Sequence, residues 1–308
     1  MARNIQYQFL NSINQAFDGG GHDKHTDRHN GKHLDTVYSY SERSNLIELS
    51  SQIAKYIKEN QPDIKKVLDI KPDMIQSFLN SKADNCHKET LGQYASRINK
   101  LEHVINDVYK GNINWYRDLI TPISNLSHDK TRWIQMDRND YKSILKRSYE
   151  AESKSKAIIA VELSGRFALR VSEGCKVQPR DINYNSMLMH VHESKGGRSR
   201  DIEIRKTDIE YLKSITEGKD PNKSIVVIKE DSVNKYLSRT EEALGIREKY
   251  KNADTGIHCI RKMVAQERYD EYRESGLSQK ESINKVSQYL GHGINRYETM
   301  KEYILNIH

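Results

Sequence analysis

The chain has 308 residues, a length that suits about two domains, and 36% of them are hydrophobic and 30% charged. No apolar run approaches the ~18–20 residues that a membrane-spanning helix needs, so we expect no membrane partner. The opening residues are polar, so we also expect no secretory signal and a cytoplasmic location. The cysteines Cys86, Cys175 and Cys259 are too far apart for a CxxC zinc site or a disulfide framework.

The charge balance is basic, with 50 Lys and Arg against 43 Asp and Glu and a net charge of +7. Residues 141–308 contain 31 of the basic and 25 of the acidic residues, so most of the excess lies in the C-terminal part. A basic excess favours a polyanionic partner, although a solvated basic surface would give the same total. Any nucleic-acid chemistry should therefore be sought in the C-terminal part.

Residues 1–40 form a polar segment with three consecutive glycines and four histidines, His22, His25, His29 and His33. Spacings of three and four could place imidazole rings on one helix face as metal ligands. However, Lys and Asp crowd the segment, no Cys joins it, and the glycines disfavour a stable helix. We therefore expect a flexible or loosely docked lead-in and no metal.

Residues 41–120 are predicted to form a small all-helical domain. Apolar residues recur at helical spacing in three stretches, residues 44–59, 73–82 and 90–109. Pro72 opens the second stretch, as proline is tolerated in a first helical turn.

The third of these helices is one candidate for DNA contact, because it carries Arg97, Lys100 and Lys110. An ordinary charged outer face is the alternative interpretation. Residues 121–140 contain Pro122 and few periodic apolar positions, so they are predicted to be a linker.

The pattern after residue 140 is helices, a strand pair and further helices. Helices are predicted over residues 141–149, 156–166, 206–215, 232–244, 258–275 and 278–290, and near the C-terminus. Residues 187–192 and 200–204 predict short strands, and the Lys-Gly-Gly-Arg sequence at 195–198 predicts the hairpin turn between them. The expected fold class is mainly α with a small β-hairpin in a C-terminal domain, residues 141–308.

Four separated pieces of this domain carry reactive or cationic residues. They are Leu169-Arg170-Val171-Ser172-Glu173, then Lys195 in the glycine turn, then His258-Cys259-Ile260-Arg261, and last Leu290-Gly291-His292 followed by Tyr297 and Tyr303. Each piece alone has an ordinary explanation, such as a structural ion pair or a helix stop. Their joint occurrence in this order favours a single site.

The chemistry of DNA strand transfer suits these residue types. A covalent phosphoenzyme on a tyrosine stores the energy of the broken phosphodiester, so that resealing needs no external energy. Charge then develops on two non-bridging oxygens, for which the planar guanidinium groups of Arg170 and Arg261 are suited. His258 and His292 can donate to the phosphate or assist proton transfer. No metal or other cofactor is required, because these groups already supply the positive charge.

In this order the pieces resemble the tyrosine recombinase family, also called phage-type integrases. The resemblance implies a helical core-binding domain followed by a tyrosine-recombinase catalytic domain. It implies a catalytic set of Arg170, Lys195, His258, Arg261, His292 and a tyrosine. Similarity to the family assigns Lys195 as the acid that protonates the leaving 5′-hydroxyl, and Glu173 as a residue that orders the site.

The nucleophile departs from the family pattern. It usually follows the LGH histidine by about nine residues, a position that Lys301 occupies here. Tyr303 lies eleven residues after His292 and has Thr299 four residues before it, whereas Tyr297 lies only five residues after His292. We predict Tyr303 as the nucleophile, with Tyr297 as the alternative.

The resemblance implies a site-specific recombinase that cuts and rejoins double-stranded DNA through a 3′-phosphotyrosyl intermediate, for integration, excision or resolution of a mobile element or replicon. It implies a homotetramer on two DNA sites, nucleoid association when bound to DNA, and room for an accessory directionality factor. Only five residues follow Tyr303, so protomers would be coupled through the tyrosine-bearing segment itself or by another route. Type IB topoisomerase-like relaxation and an inactive DNA-binding regulator are the alternatives.

Overall fold

A computed structural model describes residues 4–19, 21, 24–31, 33–126, 134–151, 155–194, 198–250 and 256–308. The chain divides into two compact units, an N-terminal unit of residues 1–129 and a C-terminal unit of residues 130–308, each with its own apolar core. The division falls inside the segment predicted as a linker. None of the helices in the described ranges is long and apolar enough to cross a membrane.

The N-terminal unit is helical. Its helices are α1 (Ile5–Gln15), α2 (Lys24–His29), α3 (Tyr40–Asn60), α4 (Pro72–Asn80) and α5 (Lys88–Tyr109), with a 3-10 turn at Val67–Asp69. Helices α1, α3 and α5 pack on one another around the core. The three helices predicted between residues 41 and 120 correspond to α3, α4 and α5.

The expectation of a loosely docked lead-in is wrong for helix α1. The Asn4 side chain accepts a hydrogen bond from the backbone N–H of Tyr7 and so caps the helix start. Ile5, Phe9 and Ile13, spaced four residues apart, are buried in the core of the N-terminal unit. The polar composition of the whole segment concealed this narrow apolar stripe.

The neighbouring histidine-rich segment forms helix α2 despite its flanking glycines. His22 and the His25 side chain lie outside the described residues. Within the described ranges, no group of three or more His, Cys, Asp or Glu side chains could hold a metal ion.

Lys100 does not lie on an outer face of α5, contrary to the interpretation of this helix as a row of DNA-contacting cations. Its side chain is buried, and its ammonium donates hydrogen bonds to the carbonyl oxygens of His33 and Thr36. It also lies 5.3 Å from the ring of Tyr38. Lys100 therefore fixes the segment before α3 onto α5 and is not accessible to DNA.

The C-terminal unit contains the helices and the sheet that position the candidate site. Its helices are α6 (Arg138–Glu150), α7 (Ala157–Phe167), α8 (Val171–Gly174), α9 (Ile209–Thr216), α10 (Glu230–Ala243), α11 (Arg247–Tyr250), α12 (Gly256–Glu274), α13 (Gln279–Tyr289) and α14 (Tyr297–Met300). Its strands are β1 (Ile182–Asn183), β2 (Leu188–Ser194) and β3 (Arg198–Glu203). The predicted fold class, mainly α with a small sheet, is confirmed.

The sheet is antiparallel in the order β1-β2-β3. Met189 pairs with Ile202 and Val191 pairs with Arg200 across β2 and β3. Met189, Val191 and Ile202 are buried in the core of the unit, so this face of the sheet points inward. Strand β1 escaped prediction because it is only two residues long.

Helices α7 and α12 form the centre of the unit and pack against each other. Helix α7 is almost entirely buried, as its run of Ala, Ile, Val and Leu requires. The ends of α7 and α13 and the first turns of α12 hold the residues described next.

Candidate active site

The first part of the site is a sharp turn between α7 and α8. Ala168 ends α7 in the left-handed region, at φ 50°, and the Ser164 hydroxyl donates to the carbonyl oxygen of Leu169 at 2.8 Å. Arg170 follows and immediately precedes α8. Its backbone N–H donates to Oε2 of Glu173 at 2.8 Å, and its Nη1 donates to Oε1 at 2.7 Å. Glu173 therefore fixes both the backbone and the guanidinium of Arg170.

Arg261 lies on α12 and is completely buried. Its guanidinium donates to the carbonyl oxygens of Ala168 and Leu290, and its Nη1 lies 3.7 Å from Oε2 of Glu173. Burial, with a smaller effect of the positive charge of Arg170, lowers the pKa of Arg261 to about 10, so the group is still protonated at neutral pH. Arg261 thus joins α12 to the ends of α7 and α13.

His292 is placed by the turn that ends α13. Gly291 has a φ of +78°, a conformation that favours glycine, and the backbone N–H of His292 donates to the carbonyl oxygen of Ser287 at 2.8 Å. Its Nε2 lies 3.5 Å from Nη2 of Arg170. Burial, and then the positive charge of the surrounding arginines, lower the pKa of His292 to about 4. The ring is therefore neutral at neutral pH.

Tyr303 lies against these groups. The centroid of its ring is 5.3 Å from that of His258 and 5.2 Å from that of His292, and it is 5.8 Å from Cζ of Arg261. The side chains of Met300 and Ile304 are buried on either side of it in the sequence. Only 5% of Tyr303 is exposed. The last described segment of the chain therefore carries a phenol into the site.

Six of the predicted site residues come together in this way: Arg170, Glu173, His258, Arg261, His292 and Tyr303. Tyr297 differs, because it begins α14, is 43% exposed, and has the Lys301 ammonium 4.7 Å from its ring. Lys195 lies outside the described residues, so its position remains a prediction.

Arg200 is a further member of the cluster that sequence reasoning missed. Its Nη1 and Nη2 donate to the two carboxylate oxygens of Glu173, both at 2.9 Å. The signal was present in the strict alternation of residues 200–204. That alternation places Arg200 on the same face of β3 as the buried Ile202, so a charged residue occupies an inward position.

The arginine cluster, which we define as Arg170, Arg200 and Arg261, shares the single carboxylate of Glu173. Three positive charges against one negative charge leave a net positive site beside a phenol. Such a site can bind a phosphate group and stabilise negative charge that develops on it, while the hydroxyl supplies a nucleophile.

Comparison with known proteins identifies the family of the chain. The sequence profile described as "Phage integrase family" matches residues 135–304, which is more than half of the chain and includes every residue of the cluster. The chain belongs to the phage integrase family, whose members are tyrosine recombinases, and the predicted family is confirmed. Among curated proteins, no sequence matches the chain significantly.

Solved structures of tyrosine recombinases share its fold. The XerH site-specific recombinase bound to difH substrate, in a pre-cleavage complex, has a TM-score of 0.59 at 14% identity, over 97% of this chain and 90% of that chain. The Tn1549 transposon integrase in complex with transposon right end DNA has a TM-score of 0.58 at 12% identity, over 98% and 95%. A lambda integrase tetramer bound to a Holliday junction has a TM-score of 0.54 at 17% identity, over 89% and 75%.

Proposed function

We propose that this protein is a site-specific DNA recombinase that cuts and rejoins duplex DNA through a 3′-phosphotyrosyl intermediate on Tyr303. The observation that carries the proposal is the packing of the Tyr303 ring against His258, His292 and Arg261, next to the pair formed by Arg170 and Glu173. Tyr297 lacks this packing within the described residues and is half-exposed, which supports Tyr303 over it.

In the first step, the Tyr303 oxygen attacks the phosphorus atom and the bond from phosphorus to the 5′ oxygen breaks. The phenolic proton passes to a histidine of the site or to water, and Lys195 gives a proton to the departing 5′ oxygen. Arg170 and Arg261 donate to the non-bridging oxygens as charge develops there. His292, neutral at neutral pH, can donate one hydrogen bond without adding to the repulsion among the arginines.

In the second step, a 5′-hydroxyl from the partner strand attacks the phosphotyrosyl phosphorus and gives its proton to Lys195, which lost one in the first step. The bond to the Tyr303 oxygen breaks, the phenol regains a proton, and a phosphodiester forms again. One bond to phosphorus forms and one breaks in each step, so no external energy source is needed.

The site described here is closed. Arg261 has no exposed surface, its two terminal nitrogens donate to backbone carbonyl oxygens, and the Tyr303 ring lies beside it. A phosphate therefore reaches Arg261 only after the Tyr303 side chain and the groups around Arg261 shift. We propose that DNA binding provides this shift.

The proposed assembly is a homotetramer on two DNA sites, acting on nucleoid DNA in the cytoplasm. The lambda integrase tetramer bound to a Holliday junction shares the fold of this chain, which supports the assembly. We propose that both units contact DNA, mostly through phosphates, so that affinity falls steeply with salt.

The test begins with covalent capture of the DNA target. The protein is incubated with sheared, randomly nicked DNA from the genome that encodes it, denatured with detergent, and the attached DNA is sequenced. A nick close to the cleavage position leaves a short fragment that carries the new 5′-hydroxyl. This fragment diffuses away, so the strand cannot be resealed and the covalent adduct is trapped. Nuclease digestion and mass spectrometry then identify the modified peptide.

We expect the nucleotide on Tyr303. With a nicked duplex of the captured sequence, Tyr303→Phe should abolish the adduct and Tyr297→Phe, the matched control, should retain it. A nucleotide on Tyr297 would contradict the assignment. Relaxation of supercoiled DNA without joining of two captured sites would favour the topoisomerase, and binding without any adduct would favour the regulator.

A further inference from the structure

Arg200 is a cation with a largely buried side chain on the inward face of strand β3. It pairs with Val191 on β2, and its side chain is 8% exposed. A charge removed from water needs partners that satisfy its donors, otherwise the unfolded state would be strongly favoured. The hydrogen-bond partners of Arg200 therefore indicate its role.

One partner, Glu173, belongs to a sequence piece that forms the site, and the other, Tyr289, directly precedes a second such piece. Nη1 and Nη2 hold the two oxygens of Glu173 in a fork, and Nε donates to the carbonyl oxygen of Tyr289 at 2.9 Å. One guanidinium thus connects strand β3 to helix α8 and to the end of α13. In this structure Arg200 donates to these protein groups through all three of its guanidinium nitrogens.

Glu173 passes this constraint on to Arg170. Oε1 of Glu173 accepts hydrogen bonds from Nη1 of both Arg170 and Arg200, and Oε2 accepts from the Arg170 backbone and from Nη2 of Arg200. Without Arg200 the carboxylate would lose two of the hydrogen bonds that fix its plane. Arg170, with 18% of its side chain exposed, is the more accessible of the two arginines and depends on that plane.

The glycine before His292 makes room for Arg200. A Cβ atom at Gly291 would lie 3.1 Å from Cδ and 3.2 Å from Nη1 of Arg200, tighter than nine in ten real Cβ contacts, so the arginine would have to shift. The φ of +78° would strain any other residue as well. The conformation of the turn that carries His292 and the position of Arg200 are therefore mutually dependent.

We propose that Arg200 is a positioning residue of the DNA-cleaving site: it holds Glu173 so that Arg170 presents its guanidinium to the phosphate, and it supports the turn that carries His292. This inference rests on the function proposed above. It assigns to Gly291 the role of leaving space for Arg200.

The first test is single-turnover cleavage of the captured nicked duplex at saturating protein. We expect Arg200→Ala to lower the rate about 10- to 100-fold, as displacements of about 1 Å in catalytic groups do, while Kd for the duplex stays close to the wild-type value. Arg200→Lys should be nearly as slow, because an ammonium group cannot form the fork. The matched control is Arg205→Ala, which removes a surface arginine paired with Glu271 and should cleave at the wild-type rate.

A double-mutant cycle with Glu173→Gln separates positioning from general destabilisation. If Arg200 acts through Glu173, Arg200→Ala should slow cleavage much less in the Glu173→Gln background than in the wild type. Effects that multiply fully, or a wild-type cleavage rate in a folded Arg200→Ala protein, would overturn the proposal. Thermal unfolding of each variant checks that it is folded.

A second measurement does not depend on cleavage. Crystal structures of the wild-type protein, Arg200→Lys and Gly291→Ala compare the contact between Nη1 of Arg170 and Oε1 of Glu173, which is 2.7 Å here. We expect both variants to lengthen or break it. An unchanged contact overturns the role of Arg200, whereas a wild-type protein that forms no adduct with any duplex refutes the proposed function alone.

Discussion

Each unit of the molecule buries a cation, but the surroundings of the two cations differ. Lys100 in the N-terminal unit is held by two carbonyl oxygens and lies near the Tyr38 ring. Arg261 in the C-terminal unit is also held by two carbonyl oxygens, but it shares Glu173 with Arg170 and Arg200. Burial alone indicates a structural role, as for Lys100. A catalytic site is indicated only where, as around Arg261, several cations share too few anions and lie beside a hydroxyl group.

The largest expected effect would come from the arginine cluster. Arg170→Ala should lower the single-turnover cleavage rate by about 10²–10³-fold, or about 3–4 kcal/mol, as the loss of other oxyanion donors does. DNA binding at low salt should stay largely intact, because the proposed interface spreads its phosphate contacts over both units. Arg261→Ala should behave in the same way if it stays folded. Equal damage to binding and cleavage would contradict the distinction between the two cations.

Loss of the cation in the N-terminal unit should affect stability alone. Lys100→Met leaves the carbonyl oxygens of His33 and Thr36 without this donor, and should lower the free energy of unfolding by about 1–3 kcal/mol. The fluorescence of the buried Trp115, in a Trp133→Phe background, follows this unit during denaturation.

Lys110→Met is the matched control for Lys100. Lys110 follows helix α5 and forms an exposed ion pair with Asp107, so its loss should change stability by at most about 1 kcal/mol. The Lys100→Met protein should cleave at the wild-type rate at a temperature where it is folded. A loss of cleavage without a loss of stability would assign Lys100 to the reaction and contradict the difference between Lys100 and Arg261.

The last prediction concerns the dependence of stability on pH. The pKa of His292 is about 4 in the folded protein and its ordinary value is 6.5, so the unfolded chain binds more protons between these values. Stability should therefore fall as the pH is lowered from about 6.5 to 4. His292→Gln removes this contribution, and its unfolding midpoint should depend less on pH across that window. A steeper dependence in the variant would contradict the environment described for the ring.

The fold class followed from the sequence because periodicity was strong in the buried helices. The apolar run of α7 and the alternation of β3 each predicted an element within two residues of its observed ends. Helix α1 was missed because only three residues of a polar segment carry its apolar stripe. Such short signals are weak until the surface on which they pack is known.

Side-chain partners were less predictable than elements. The sequence indicated Arg170, Arg261 and Tyr303 as chemically suited to one site, and the structure brings them together, while their catalytic roles stay proposals. Lys100 and Arg200 are each held by residues distant in sequence. The contact of Lys100 with Thr36 spans 64 residues, and that of Arg200 with Glu173 spans 27. Helical or strand periodicity carries no information about such partners, except where a charge falls on an apolar face.

The Tyr303 ring against Arg261 has a consequence for selectivity among anions. Inorganic phosphate and nucleotides carry the same anionic group as DNA and would compete for an open guanidinium cluster. Because the phenol lies beside the completely buried Arg261, we expect small anions to bind there weakly, and a ligand with many additional contacts to be favoured over them. The proposed nucleophile would in this way also limit the binding of small anions to the resting protein.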